Sequence, residues 1–515
     1  MIMRKLTQQV ICDYDDPVAE TRSGKVRGQI VEGAYQFRGI KYAQAKRFHF
    51  PEEVSWEGTK EAINYGYCCP EPTTNVPPDA YLDPHFYYPQ DEDCLYLNIW
   101  TPTLDPSAKK PVMVWFHGGG WFMGSGVEMY GYDGENLSAF GDVVVVTLNH
   151  RLNILGFMDL SAYGDEYKYS ANCGIADLVQ SLKWVHENIE NFGGDPGSVT
   201  IMGQSGGGSK VLSMLQTPAA DGLFHKAVMQ SGGPTGSPAD KETRLEFTDR
   251  VVKFLGLTKE TIKEIETVDW YDLAEAYMEV TKEMGQEGKR VNWGPQYDGD
   301  YFFGHPLVYG WREESKCIPI LGGSILAEFT SNALRNPYGK SKNDFTEEET
   351  RKYIGEKYGE DKVDDIIKAF EKAYPEKKLA DVLFVDTSLR KGFIEFLKAR
   401  ASLEGAAPCY SWLMTLESPF KNGSLPWHNF DEAFMFHNAE YIETTYIPGV
   451  TERLQDQVAG AWVAFARTGN PNHELLPEWK AVTPDTVPTM LFDRECRVGE
   501  NHDKELMEIL PKMGF

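Results

Sequence analysis

Apolar residues recur along this chain in two alternating rhythms. Short unbroken runs, Pro111-Val-Met-Val-Trp-Phe116, Asp142-Val-Val-Val-Val-Thr-Leu-Asn149 and Val199-Thr-Ile-Met202, are rich in β-branched residues, as strands covered on both faces require. Between and after them apolar positions return at helical spacing, from Gly174 to Ile189 and from Ser209 to Leu215. His225 to Ser231, Ile318 to Leu321 and Ser411 to Leu416 read as further strands, with helices near 387–403 and a last helix over Thr451 to Thr468. This alternation predicts an α/β fold with a mostly parallel, doubly wound central sheet and helices on both faces. Turn glycines separate short alternating runs from Thr21-Arg-Ser-Gly to Gln36-Phe-Arg-Gly-Ile-Lys-Tyr-Ala43, which predicts a small N-terminal antiparallel sheet, and Glu92 to Trp100 adds a strand. Thr258 to Met284 and Thr346 to Tyr374 are charged and helical, so lid-like excursions from the sheet are expected at about 240–295 and 330–405. Pro70 to Asp91 has no period. It is expected to be a loop whose Tyr81, Phe86, Tyr87 and Tyr88 either wall a pocket or pack as ordinary loop side chains.

Length and charge narrow the function classes. At 515 residues the chain exceeds the size at which single cores stop growing, so length alone favours two or more domains. The 51 basic residues against 77 acidic ones argue against a nucleic-acid or anionic-membrane partner. The N-terminal residues form no apolar stretch of secretory length and no later stretch is long enough to span a membrane, which favours a cytoplasmic protein, or a secreted one if a signal was removed. Eight cysteines are too few for a disulfide scaffold. Cys69 and Cys94 are candidates for one bridge, which would add roughly 3–4 kcal/mol in an oxidising compartment and stay open in the cytosol.

Chemistry enters at Gly203-Gln204-Ser205-Gly206-Gly207, between the strand ending near Met202 and the helix beginning near Ser209. A serine on a sharp strand-to-helix turn presents its hydroxyl above the sheet, and glycines beside it let the two backbones approach. With 48 glycines in the chain the pentapeptide alone is equally a simple turn, so its context decides. His117-Gly-Gly-Gly-Trp121 follows a buried strand and leaves backbone N–H groups uncovered to meet an anion. A serine hydroxyl needs a base, and the base a carboxylate, which in this kind of fold come in the order acid, then histidine. His117, His150 and His225 precede or adjoin the elbow and read as structural, whereas His428 lies in a loop after a late strand.

With these residues in place, the chain resembles the type-B carboxylesterase and cholinesterase family nearly end to end. Phe37-Arg-Gly-Ile-Lys-Tyr-Ala43, Glu92-Asp-Cys-Leu-Tyr-Leu-Asn98, Asn149-His-Arg-Leu152, Asn191-Phe-Gly-Gly-Asp-Pro-Gly-Ser-Val-Thr200 and Phe465-Ala-Arg-Thr-Gly-Asn-Pro-Asn472 carry the likeness beside the serine and glycine motifs. The resemblance implies an α/β-hydrolase fold in one large domain over 1–515, with Ser205 as nucleophile and His428 as general base. It makes Gly119, Gly120 and Gly206 the oxyanion donors. The family has a carboxylate three residues past its histidine and an aromatic eight past it, here Asp431 and Phe436. Its usual Gly-x-Asn-x-Asp-Glu-Gly is replaced by Gly322-Gly-Ser-Ile-Leu-Ala-Glu-Phe329; counting from Gly323 gives Glu328 as the acid and counting from Gly322 gives Ala327. Glu328 is taken, since alanine cannot orient an imidazole.

Gln204 stands where the family commonly has glutamate, and the interval from Cys69 to Cys94 holds no tryptophan to face a quaternary ammonium, so choline esters are not the expected substrates. The resemblance implies a serine carboxylic-ester hydrolase that works through an acyl-enzyme on uncharged, aromatic or short-acyl esters, with no metal or organic cofactor. Its partner is a small-molecule ester, with no nucleic acid and no membrane span. Feruloyl-ester, carbamate or amide hydrolysis by the same triad is the near alternative. A non-catalytic binding protein on the same fold is the distant one.

Overall fold

The unbroken apolar runs become the centre of one large sheet. In the computed structural model, which describes residues 10–31, 33–72, 85–86, 88–236, 240–291 and 293–512, twelve strands pair in a single array. One edge is antiparallel: Val10–Ile11, Gln29–Val31, Ala34–Lys41 and Tyr96–Thr101 lead into Val144–Leu148. From there the strands run parallel in the order Val144–Leu148, Lys110–Phe116, Gly194–Gln204, Lys226–Gln230, Ile320–Ile325, Cys409–Met414 and Pro488–Phe492. Arg497–Glu500 closes the far edge antiparallel. A separate small sheet pairs Val18–Thr21 antiparallel with Gly24–Arg27, and Thr59–Glu61 joins it parallel. The N-terminal alternating runs therefore divide, the first hairpin standing apart and the second extending the main sheet.

Alternation along each central strand feeds two cores. Val112, Val114 and Phe116 pack on one face of the sheet with Val144, Val146 and Leu148, whereas Met113, Trp115, Val143 and Val145 pack on the other. Both faces are covered by helices, which is why these strands carry no polar alternation. Cys173–Asn188 packs on the first core and Thr451–Thr468 on the second. The helical excursions hold Lys241–Phe254 and Trp270–Gln286 in one stretch, and Glu347–Tyr358, Val363–Ala373 and Leu389–Ala401 in the other. Cys69 and Cys94 are both buried free thiols. No helix among the described residues is long and apolar enough to cross a membrane.

Candidate active site

Four parallel strands deliver their C-terminal ends to one place, the position where open α/β sheets expose loops to ligands. Gly194–Gln204 ends at Ser205, the first residue before the helix Gly206–Leu215. Ser205 has φ 56° and ψ −123°, a backbone state that costs roughly 1–3 kcal/mol for a residue with a side chain. Neighbours hold it there: the Ser205 N–H donates to the Gln230 carbonyl at 2.8 Å, and the Ser209 N–H donates to the Ser205 carbonyl at 3.2 Å. The glycines leave no room for anything larger. A Cβ on Gly203 would lie 2.5 Å from the Gly207 carbonyl carbon, and one on Gly207 would lie 2.0 Å from the Phe116 oxygen.

The loop after Lys110–Phe116 carries Gly119 and Gly120, with φ 78° and 64°. These positive values turn the chain back on itself, and the Met123 N–H closes the turn on the Gly119 carbonyl at 3.2 Å. Gly206 packs directly beneath. A Cβ there would stand 2.2 Å from the Gly120 oxygen and 2.5 Å from its nitrogen, so the helix start and the glycine loop are in main-chain contact. As the first residue of the helix, Gly206 has no intrahelical acceptor for its N–H.

Glu328 and His428 follow Ile320–Ile325 and Cys409–Met414, the two strands beyond Lys226–Gln230. Glu328 follows Ile320–Ile325, is fully buried, and places its carboxylate oxygens in different roles. Oε1 accepts the Ile325 N–H at 2.8 Å, and Oε2 lies 2.5 Å from His428 Nδ1. The main chains are tied as well, the His428 N–H donating to the Glu328 carbonyl at 3.1 Å, and Phe329 covers the imidazole with ring centroids 4.0 Å apart. Ala327 precedes this contact and offers no polar atom on its side chain. Burial pushes the Glu328 carboxyl up, against donation from the Ile325 N–H and the Ser231 hydroxyl. The same burial pulls His428 down, outweighing the attraction of Asp431 and Asp386. His428 is thereby a neutral imidazole at pH 7, able to accept a proton.

Ser205 and His428 line one narrow cavity of about 30 Å³ together with Gly119, Gln204 and Glu432. Gly120 and Gly206 are not among its lining residues; they touch each other and adjoin Gly119 and Ser205 in the chain. Two larger clefts flank it. One, of about 230 Å³, runs along Trp121 with Tyr297, Phe302 and Tyr309, and Arg244 and Trp293 of the first helical excursion also line it. The other, of about 360 Å³, shares Met129 and Tyr132 with the cavity at Ser205 and adds Tyr65, Phe86, Tyr88 and Trp100. Phe86 and Tyr88 of the aperiodic loop thus wall a cleft, while Tyr81 and Tyr87 lie outside the described residues.

Three buried groups surround the pair, of which Gln230 and Asp386 were not singled out from the sequence. Gln230 holds the elbow with its main-chain carbonyl and uses its side chain to donate to Asp431 at 2.5 Å and to accept from the Trp462 indole at 3.1 Å. Asp431, known in the sequence only as a match three residues past His428, is raised to about 7 by burial. Asp386 is likewise raised to about 7 by burial and by the charge of Glu328. Their only sequence signal is polarity inside otherwise apolar stretches.

A serine on a positive-φ elbow, glycine main chain beside it, and a buried glutamate–histidine pair at the carboxyl edge of a parallel sheet define an α/β-hydrolase. The carboxylesterase family matches residues 15–509. An esterase of Clostridium hathewayi, described as able to hydrolyse aliphatic aromatic polyesters, is 44% identical, covers 98% of this chain and 99% of its own, and superposes with a TM-score of 0.92. Para-nitrobenzyl esterase of Bacillus subtilis is 30% identical over 96% of this chain and 99% of its own, and phenmedipham hydrolase of Pseudarthrobacter oxydans is 28% identical over 93% and 95%. The chain belongs to the carboxylesterase family. It is a serine carboxylic-ester hydrolase.

Proposed function

We propose that the enzyme cleaves uncharged esters with aromatic or short acyl groups through a covalent acyl-enzyme on Ser205. His428 Nε2 takes the Ser205 proton as Oγ bonds to the ester carbonyl carbon, and the carbonyl π electrons move to oxygen. The N–H groups of Gly119, Gly120 and Gly206 receive that oxyanion. The carbon–oxygen bond to the alcohol then breaks, and the leaving oxygen takes the proton from His428. Water repeats the cycle and releases the acid. Glu328 keeps the proton of neutral His428 on Nδ1, leaving Nε2 as the acceptor, and stabilises the imidazolium. Residues 205, 328 and 428 follow three separate parallel strands, Gly194–Gln204, Ile320–Ile325 and Cys409–Met414, so the proposed unit is assembled across the centre of the sheet.

The observation that carries this reading is the 2.5 Å contact between Glu328 Oε2 and His428 Nδ1 in a cavity that Ser205 and the Gly119 main chain share. Substrate class is supported by the clefts. The cavity at Ser205 is narrow, about 30 Å³ against about 230 and 360 Å³ for the two clefts, so acyl and alcohol groups extend along the aromatic walls. The polyester substrates of the 44% identical esterase point the same way. Gln204 puts no charge beside the nucleophile where the family commonly has glutamate, although Glu128 and Glu432 line the same cavity.

The test is turnover of p-nitrophenyl acetate and butyrate by the wild type and by Ser205→Ala, with a phosphonate probe located by mass spectrometry. Label on Ser205, loss of turnover in the variant, and faster cleavage of an uncharged butyrate ester than of butyrylcholine are expected. Turnover that survives in Ser205→Ala removes the assignment, and preference for the choline ester removes the substrate class.

A further inference from the structure

Lysine is rarely buried, because its ammonium loses hydration that an apolar interior does not replace. Lys210 is fully buried, five residues beyond Ser205 on the inner side of the helix Gly206–Leu215. Its Nζ donates to the His117 carbonyl at 2.8 Å and to the Gly118 carbonyl at 3.3 Å. These are the two carbonyls that lead into Gly119. The amine reaches them beneath the glycine loop and takes no part in lining the cavity that Gly119 and Ser205 share. The Trp121 ring lies 5.9 Å from Nζ, and Glu128 supplies the opposite charge in the neighbourhood.

The Gly118 carbonyl and the Gly119 N–H are two ends of one peptide plane. A donor fixed on the oxygen fixes the direction of the N–H. A cationic donor also draws electron density along the amide and makes that N–H a stronger donor in turn, as hydrogen bonds in series polarise one another. Three successive glycines have no intrinsic reason to hold such a geometry, because glycine loses more conformational freedom on ordering than any other residue. The loop is held from below at several points. His117 Nδ1 also meets the Gly118 oxygen at 2.9 Å, and the Gly119 oxygen accepts the Met123 N–H. His117 stacks on His150 with centroids 5.2 Å apart, and burial together with the nearby Lys210 charge keeps both rings neutral. The two imidazoles therefore do not compete with Lys210 for the cationic role.

We propose that Lys210 is a positioning residue for ester hydrolysis, which holds and polarises the Gly118–Gly119 peptide so that its N–H is set for the oxyanion. This rests on the reading of Gly119 as an oxyanion donor. Burial pulls the amine down to about 7, against the pull of Glu128, so about half of it is charged at neutral pH, and both forms keep the N–H donors that hold the peptide at a desolvation cost a space-filling side chain would not incur. A methionine there would be the simpler residue if only volume mattered.

The experiment compares Lys210→Met with the wild type on p-nitrophenyl butyrate, and titrates both with a trifluoromethyl ketone and with the alcohol of the same skeleton. The ketone adds Ser205 to form a tetrahedral adduct carrying an oxyanion, whereas the alcohol binds without one. Expected are a fall in kcat of about 10- to 100-fold, below or equal to the loss of a direct oxyanion donor, and a KM within about threefold of wild type. The inhibition constant of the ketone rises by the same factor as kcat/KM falls, and that of the alcohol stays put. If the methionine variant does not fold, Lys210→Gln, which keeps an N–H donor without the charge, tests the polarisation: a loss of ketone affinity without loss of alcohol affinity supports it, and wild-type kcat overturns it. Parallel weakening of ketone and alcohol, or wild-type kcat in a folded variant, overturns the proposal. Ser205→Ala runs beside them: an active Ser205→Ala removes the assignment of Ser205 as nucleophile and with it the reading of Gly119 as its oxyanion donor, whereas an inactive one with an unimpaired Lys210→Met removes only this inference.

Discussion

Replacing Glu328 by glutamine changes one atom in the site, and the structure fixes what that atom does. Glu328 Oε1 accepts the Ile325 N–H at 2.8 Å, so the glutamine must keep its carbonyl oxygen on that side. Its amide NH2 then faces His428 Nδ1 across the present 2.5 Å contact. Two donors cannot share that line, so Nδ1 gives up its hydrogen and the imidazole takes the tautomer protonated on Nε2. That nitrogen is the one needed as base. A wrong-tautomer histidine lowers kcat by about 10⁴ in a serine hydrolase, so we expect a fall of about 10³- to 10⁴-fold, equivalent to about 4–5.5 kcal/mol of barrier, with KM little changed. Steady-state kinetics on p-nitrophenyl butyrate from pH 6 to 9 measures it, with the melting temperature as control. Burial raises the Glu328 carboxyl, so a neutral amide removes a desolvation cost, and the variant should melt no lower than wild type at pH 8. Activity within tenfold of wild type, in a variant of normal stability, would refute the role of Glu328 and the tautomer argument together.

Gly206→Ala brings a methyl to within 2.2 Å of the Gly120 oxygen, a main-chain atom with no rotamer to yield, so the glycine loop must shift by about 1 Å and kcat should fall as much as about 100-fold; unchanged kcat would show that the loop has slack. Arg151→Met strands Asp177, which is fully buried and now receives the guanidinium at 2.8 and 2.6 Å, and should lower stability by about 3–5 kcal/mol in urea unfolding; a loss under about 1 kcal/mol would contradict it. Glu128, Asp386 and Asp431 are each raised to about 7 by burial, against an unfolded range near 4. Between those limits the native state binds more protons than the unfolded chain, so stability is greatest below about pH 4–5 for these groups and is lost as pH rises through about 7. The melting temperature should therefore be higher at pH 5.5 than at pH 8, and the reverse order would exclude their titration as the dominant effect.

The parts of the fold that sequence predicted well are those where one physical demand dominates. Val144 to Leu148 must be a covered strand, because a run with no polar alternation suits neither a surface strand nor a short amphipathic helix, and Thr451–Thr468 emerges with the bounds its periodicity implies. Pro488–Phe492 and Arg497–Glu500 were not anticipated. The first contains a proline at its start and is only five residues long, and its place beside Cys409–Met414 is decided by pairing across a long sequence separation, which leaves no local pattern. The N-terminal hairpins look alike in sequence yet belong to different sheets, for the same reason. Val18–Thr21 and Gln29–Val31 have equal strand character, and only the neighbours they meet in space separate them.

In the site, the residues legible from sequence are those whose chemistry is rare in its setting: a serine between glycines and a glycine run after a strand. The acid was a question of register, since two adjacent glycines gave two counts. The carboxylate that lies beside His428 Nδ1 is that of Glu328. Gly323 pairs with Trp412 inside the sheet, and a Cβ at Gly323 would strike the Trp412 oxygen at 2.3 Å, so this glycine is required by strand packing and is not a loop position. Five residues later, Glu328 has left the strand with φ 24° and turns its carboxylate back on the Ile325 N–H. A residue with a side chain accepts that backbone only where several contacts enforce it, and here they are the Ile325 N–H, the His428 main chain and the His428 ring. Lys210 escaped notice for the opposite reason. Lysine on a helix is common, so nothing in the sequence separates one that reaches solvent from one that reaches the carbonyls of His117 and Gly118, and only the depth of the helix start beneath the glycine loop makes that distinction.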